Sequence, residues 1–144
     1  MTHPLTVLIV DDSRPMRTIL KAILAADGHA VVLAESVSAA LTVLEVHRPD
    51  VILTDYNMPG QSGVDLVRWI RSQAAFDDTP VIVVSSEQCR RRRSRMAQAG
   101  ANGWIGKPVC AATLLGALKA VAVAHWNTAE AARAEPVRKR ALSA

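Results

Sequence analysis

Three short runs of the chain, Leu5–Val10, Val51–Thr54 and Val81–Val84, are almost wholly apolar and rich in valine and isoleucine. A strand with one wet face alternates apolar and polar residues. A strand that does not alternate is buried on both faces, as in a parallel sheet covered by helices on either side. Two further runs, Ala30–Ala34 and Trp104–Ile105, bring the set to five. Apolar stripes at helical spacing lie between them. Met16, Ile19, Leu20, Ile23 and Leu24 follow the i, i+3, i+4, i+7, i+8 pattern of one helix face. Ser13 is placed to cap that helix, Pro15 is tolerated in its first turn, and Gly28 ends it. Val37, Ala40, Leu41 and Leu44 form a second stripe, closed by Pro49; Val64, Val67 and Ile70 form a third; Leu114, Leu115, Leu118, Val121 and Ala122 form a fifth. Strand and helix alternating in this way predict an α/β domain of (βα)5 type. Its five-stranded parallel sheet is doubly wound, in the order 2-1-3-4-5, with a ligand crevice at the C-terminal ends of the first and third strands.

The fourth helix, Gln88 to Ala99, has a different character. Arg90, Arg91, Arg92 and Arg93 are consecutive, with Arg95 close behind. Four neighbours turn through about 300° of a helix, so they cannot all face water on one side. At least one must lay its stem across the sheet, which predicts a loosely held helix with few apolar contacts. A second basic block, Arg138, Lys139 and Arg140, lies near the C-terminus; the two blocks exceed the net charge of +4, so the rest of the chain is slightly acidic. The chain divides into residues 1–124, the (βα)5 domain, and residues 125–144, a helix-like stretch His125–Ala134 followed by Pro136 and the basic tail.

Half of the 144 residues are hydrophobic and 21% are charged, which excludes a disordered or collagen-like chain. No apolar run reaches the roughly 18 residues of a membrane span. Two cysteines, Cys89 and Cys110, are too few for a disulfide framework. Met1 to Pro4 carries no lysine or arginine and runs straight into a strand, so a cytoplasmic chain without a secretory leader is expected.

Polar residues stand where the strands end. The first run is followed by Asp11-Asp12, the third by Asp55, the fourth by Ser85, and the fifth, after Gly106, by Lys107. Taken singly, Asp12 reads as a helix cap, Asp55 as an Asx-type turn residue, Ser85 as an N-cap and Lys107 as a solvated lysine. Taken together, they converge on one crevice. Three carboxylates close together repel, and a cation relieves them. Hard oxygen ligands with room for water suit Mg2+. A carboxylate beside that ion and a lysine is arranged for phosphoryl transfer: the charges neutralise the phosphoryl oxygens while the carboxylate attacks.

Asp11-Asp12, the segment Asp55-Tyr56-Asn57-Met58-Pro59 with Gly63, then Ser85-Ser86-Glu87 and Lys107-Pro108 resemble the receiver domain of two-component response regulators. The nearest likeness is to single-domain chemotaxis regulators of the CheY type, over about Leu5 to Val123. The resemblance implies that Asp55 is the phosphoacceptor. It implies that Asp11, Asp12, Asp55 and the backbone carbonyl of Asn57 hold Mg2+, Asp11 through water. Lys107 and Ser85 would bind the phosphoryl group, Trp104 would be the switch aromatic, and the Lys107–Pro108 peptide would be cis. Asn57 and Glu87 match the residue pair of CheY, which implies fairly quick loss of the phosphoryl group. Trp104 stands where the family usually has Tyr or Phe, and Ser85 where Thr is more common.

The expected function is that of a stand-alone response regulator in chemotaxis-like or other two-component signalling, not a turnover enzyme. A sensor histidine kinase or phosphotransfer protein donates to Asp55, and the surface of the fourth helix, fifth strand and fifth helix then meets a downstream target. A monomer or a phosphorylation-dependent dimer is expected, with no membrane partner. An aspartyl-phosphatase would need a general acid where Asn57 stands. A flavin carrier would need a phosphate-cradling loop where Asp11 and Asp12 would repel the phosphate. The remaining alternative is a nucleic-acid binder, or a degenerate receiver, acting through the basic fourth helix and tail. It is disfavoured because no aromatic residues interleave the arginines.

Overall fold

The computed structural model describes residues 4–134, with side chains described as far as Ala122. Five strands alternate with five helices: β1 Thr6–Val10, α1 Arg14–Ala26, β2 Ala30–Ala34, α2 Val37–Val46, β3 Val51–Thr54, α3 Gly63–Ser72, β4 Val81–Ser85, α4 Arg90–Ala99, β5 Gly103–Gly106 and α5 Ala111–Ala134. A single 3-10 turn, Ala74–Phe76, lies between α3 and β4. The strands are parallel and run in the order β2-β1-β3-β4-β5.

The apolar runs behave as parallel pairing demands. Every residue of β3 and β4 is buried, as are Val7–Val10 of β1. The edge strands β2 and β5 are only partly covered, which is why their sequences are less continuously apolar. Alternate side chains feed two cores. Leu8, Val10, Ile52 and Val83 face α2, α3 and the single buried residue of α4, Met96. Val7, Ile9, Leu53, Ile82 and Val84 face Leu20 and Leu24 of α1 and Leu114 and Leu118 of α5.

Local signals set the helix ends. Ser13 caps α1, its Oγ accepting from the Met16 N–H at 3.3 Å. Gly28 follows at φ +89°, a conformation that a side chain would strain. Ser36 caps α2 in the same way, accepting from Ala39 at 3.0 Å. The fourth helix begins at Arg90 rather than Gln88, with Cys89 as its N-cap residue. Arg90–Arg93 and Arg95 are all exposed. Arg93 is the one that reaches back to the sheet, and it does so with its head: the guanidinium carbon stands 5.1 Å over the Trp104 ring of β5. The fifth helix runs unbroken through residues 124 and 125. The side chain of Trp126, together with Pro136, Arg138, Lys139 and Arg140, lies outside the described residues.

Candidate functional site

Strand register brings the polar residues together. Val10 is level with Thr54, so Asp11 and Asp55 leave β1 and β3 side by side. Ser85 is level with Gly106, and its carbonyl accepts from the Lys107 N–H at 3.1 Å. All of them sit at the C-terminal edge of the sheet, where open α/β folds bind ligands.

Oxygens of Asp11, Asp12 and Asp55 lie within 4.8 Å of one another. Asp11 and Asp55 are buried, 1% and 8% exposed, whereas Asp12 is open to solvent. Lys107 Nζ donates to Asp11 Oδ2 at 2.9 Å and to Asp55 Oδ2 at 3.2 Å. Burial pulls the pKa of this ammonium down, but the bonds and charges of Asp11 and Asp55 outweigh it and hold the value above that of an ordinary lysine. The second oxygen of each aspartate takes a backbone donor: Ser13 N–H on Asp11 Oδ1 at 2.9 Å, and Tyr56 N–H on Asp55 Oδ1 at 2.7 Å.

None of the single-residue explanations for these positions holds in the fold. Ser13, not Asp12, caps α1. The Asx-type bond, from a side chain to the N–H two residues on, belongs to Asp11 rather than Asp55. Cys89, not Ser85, is the N-cap of α4. Lys107 is half-buried between two carboxylates.

The other expected residues form an outer ring. Ser85 is 1% exposed, and its Oγ accepts from the Glu87 N–H at 3.2 Å. Asn57 Nδ2 donates to Glu87 Oε2 at 3.2 Å, and Arg92 Nη1 donates to the same oxygen at 2.8 Å. The Cys89 N–H donates to Glu87 Oε1 at 3.1 Å, so Glu87 joins the Asp55 loop to the first turn of α4. The Asn57 and Arg92 bonds hold the Glu87 pKa below the usual carboxylate range. Trp104 is half-buried, its ring centroid 6.1 Å from that of Tyr56, the residue after Asp55. The Lys107–Pro108 peptide is cis.

Residues 7–119 match the response regulator receiver domain. The chain belongs to the response regulator receiver family. The chemotaxis protein CheY-3 of Vibrio cholerae is 40% identical to it over 109 residues, covering 75% of this chain and 84% of that protein. The chemotaxis protein CheY of Pseudomonas aeruginosa is 38% identical over 109 residues, covering 75% and 88%. Among solved structures, chemotaxis protein CheY4 of Vibrio cholerae superposes with a TM-score of 0.79 at 33% identity, covering 83% of this chain and 99% of that one. The receiver's fold is that of its CheY relatives, and receivers are signalling proteins.

The donor set of this receiver fits a hard divalent cation. Three carboxylates converge, and Asp12 accepts no hydrogen bond from the described residues, so its oxygens are open to a ligand. Three contributors to this region had no clear signal in the sequence. Tyr56 is an aromatic bridge between Asp55 and Trp104. Arg92 was one arginine among five until the fold set it against Glu87. Arg71 of α3 reaches the carbonyl of Gly100 at the end of α4, at 3.0 Å.

Proposed function

We propose that the chain is a phosphorylation-controlled binding switch in which Asp55 accepts a phosphoryl group from a phosphohistidine of a sensor kinase or phosphotransfer protein. The observation that carries this reading is the position of the Asp55 carboxylate, nearly buried yet at the open end of the sheet, with Lys107 Nζ 3.2 Å away and two further aspartates beside it. An Asp55 carboxylate oxygen attacks phosphorus, a P–O bond forms, the P–N bond breaks, and the imidazole leaves and takes up a proton. Asp11, Asp12, Asp55 and the carbonyl of Asn57 would hold Mg2+, which when bound supplies positive charge against the phosphoryl oxygens.

The chain's own groups supply the rest. Lys107 exchanges its Asp55 contact for a phosphoryl oxygen. The Ser85 hydroxyl turns from Glu87 to donate to another. Losing the Ser85 contact loosens the Glu87 turn, and α4, anchored by one buried side chain, shifts with Trp104. The α4–β5–α5 surface then presents a different face to a downstream target. Water attacking the acyl phosphate resets the switch, so the protein turns over no substrate of its own.

Incubation with Mg2+ and acetyl phosphate, followed by intact-mass measurement, tests the chemistry. One magnesium-dependent phosphoryl adduct, absent in Asp55→Ala, is the expected result. No adduct from either acetyl phosphate or a phosphorylated histidine donor overturns the reading. The adduct should also be lost fairly quickly, and survival for many hours would contradict the roles given to Asn57 and Glu87.

A further inference from the structure

β2 is the sheet edge opposite β5, and nothing in its sequence guards it against pairing. It reads Ala-Val-Val-Leu-Ala, Ala30–Ala34, with no charge, proline or glycine. Exposed edges are ordinarily blunted by lysine, proline or a bulge. Among the described residues β2 pairs with β1 alone, so its outer side is open. The pairing also fixes which backbone groups face outward. The Ala30 N–H donates to the Leu5 carbonyl at 2.8 Å, and the Ala34 carbonyl accepts from the Asp11 N–H at 3.1 Å. Successive residues of a strand turn their backbone groups to opposite sides. Ala30, Val32 and Ala34 therefore face β1, while Val31 and Leu33 hold their N–H and C=O toward the open side. The side chains nearby are apolar as well. Leu33 is 38% exposed, and Ile19 of α1 is 50% exposed. Leu33 is level with Ile9, which packs against α1, so both lie on the same face of the sheet.

We propose that β2 pairs antiparallel with β2 of a second copy of this chain, about a two-fold axis at Val32, joining two sheets into one. The edge sequence itself selects a second copy. Ala-Val-Val-Leu-Ala reads nearly the same in both directions, so Ala30 meets Ala34, Val31 meets Leu33 and Val32 meets its own counterpart. In this register each Val31–Leu33 pair exchanges two hydrogen bonds, which uses every outward backbone group of both residues. Val32 and its counterpart form the non-hydrogen-bonded pair between them, where side chains come closest. A slip of one residue would set groups that face β1 against groups that face outward. The contact is isologous: it closes both edges at once, and assembly stops at two. The α4–β5–α5 surface lies at the far edge of each sheet, and antiparallel strands turn the two Asp55 crevices to opposite ends. Both stay open in the dimer, so the proposal stands apart from the switch reading. A dimer of this shape offers two target surfaces at once.

The test uses the full chain, unphosphorylated. Sedimentation equilibrium should show the mass rising from one chain toward two between about 10 μM and about 1 mM, the range in which a small interface associates. Over the same range, amide exchange should slow at Val31 and Leu33 but not at Val32, whose N–H faces β1. Leu33→Lys places a charge on the edge at an exposed position and should weaken association by about tenfold or more. Leu33→Thr, which keeps a residue suited to a strand, gives a second variant if the lysine disturbs folding. Cysteine cross-linking reads the register, in a chain that also carries Cys89→Ser and Cys110→Ser. Cα atoms of a non-hydrogen-bonded pair lie about 4.5 Å apart, within disulfide reach, so oxidised Val32→Cys should form a covalent dimer. Leu33→Cys should not, because its neighbour across the axis is Val31. A chain that stays monomeric throughout overturns the proposal. So does a dimer whose protected amides lie on α4 and β5 instead of β2, or one that cross-links through Leu33→Cys and not Val32→Cys. Protection of β2 that appears only on adding another protein also overturns it, since the edge would then take a foreign strand.

Discussion

Gly63 lies directly against the backbone of Asp55: a Cβ at this glycine would overlap the Asp55 carbonyl oxygen and come within 2.9 Å of the terminal methyl of Met96. The glycine is required here by closeness, not by its φ, since it opens α3 with its N–H on the Tyr56 carbonyl at 2.8 Å. The same contact joins the only buried residue of α4 to the Asp55 loop. Gly63→Ala should therefore force the loop outward, at a cost of about 1–3 kcal/mol typical of overpacking. Urea denaturation should show that loss, and the rate of adduct formation from acetyl phosphate should fall with it. A variant that keeps both its stability and its rate would show that the loop yields freely.

Lys107→Met removes the one cation that, among the described residues, lies between Asp11 and Asp55. The lysine side chain keeps 19% of its exposure, so the cost at neutral pH should be about 2 kcal/mol, below the ~3–5 kcal/mol of breaking a fully buried pair. The pH dependence has a definite sign. The folded-state pKa of Lys107 is raised, so its stabilisation is complete below the unfolded-state value near 10.4 and is lost as pH rises through the higher folded value. In the wild type this contribution should persist past pH 10, and in Lys107→Met it should be missing throughout. Added Mg2+ should recover part of the variant's stability, and chemical denaturation at several pH values with and without the ion measures both effects.

The parts legible in the sequence are those where one residue type has one use. β1, β3 and β4 were readable because burial on both faces leaves no room for polar residues. Asp11, Asp12, Asp55 and Lys107 were readable because each follows a strand, and parallel strands bring their C-terminal ends together. What the sequence left open is where a polar side chain spends its hydrogen bonds. The Asx-type bond fell to Asp11, the α4 cap to Cys89, and the Ser85 hydroxyl to Glu87, because several polar residues compete at each turn and tertiary geometry decides among them. The arginine run shows the same limit. The helix period predicts an arginine stem laid across the sheet, whereas all five arginines are exposed and it is the head of Arg93 that meets Trp104, a contact only the fold could select.

Glu87 provides a spectroscopic test of the link between Asp55 and α4. Asn57 and Arg92 both donate to it, and both hold its pKa down. A folded value below the ordinary one near 4.3 means that the contacts are complete above that pH and are lost as pH falls through the folded value. Asn57→Ala leaves the backbone carbonyl in place and should raise the Glu87 pKa toward the ordinary value, as should Arg92→Ala. A carboxylate NMR titration reads both. If neither substitution moves the midpoint, the Asn57–Glu87–Arg92 chain does not exist in solution.

Arg71 closes the other end of α4 and should prove the more costly contact. Its Nε donates to Gly100 O at 3.0 Å, Nη1 to Phe76 O at 2.9 Å and Asp77 O at 3.3 Å, and Nη2 to Asn102 Oδ1 at 2.8 Å. Asn102 in turn exchanges hydrogen bonds with Val81 at the start of β4, through its side chain at 2.8 Å and its backbone N–H at 2.7 Å. One planar guanidinium thus ties α3, the turn after it, the end of α4 and the approach to β5, and a lysine cannot reproduce that fork. Arg71→Lys should cost about 1 kcal/mol, the net worth of a hydrogen bond, since two of the four bonds are only part-buried and two are exposed. The loss should be local before it is global. Amide exchange at Gly100 and Ala101 should accelerate while that of β1 and β3 stays protected, because α4 has only Met96 to hold it once this end is released. Uniform acceleration across the sheet would instead make Arg71 a part of the global fold rather than the tether of its loosest helix.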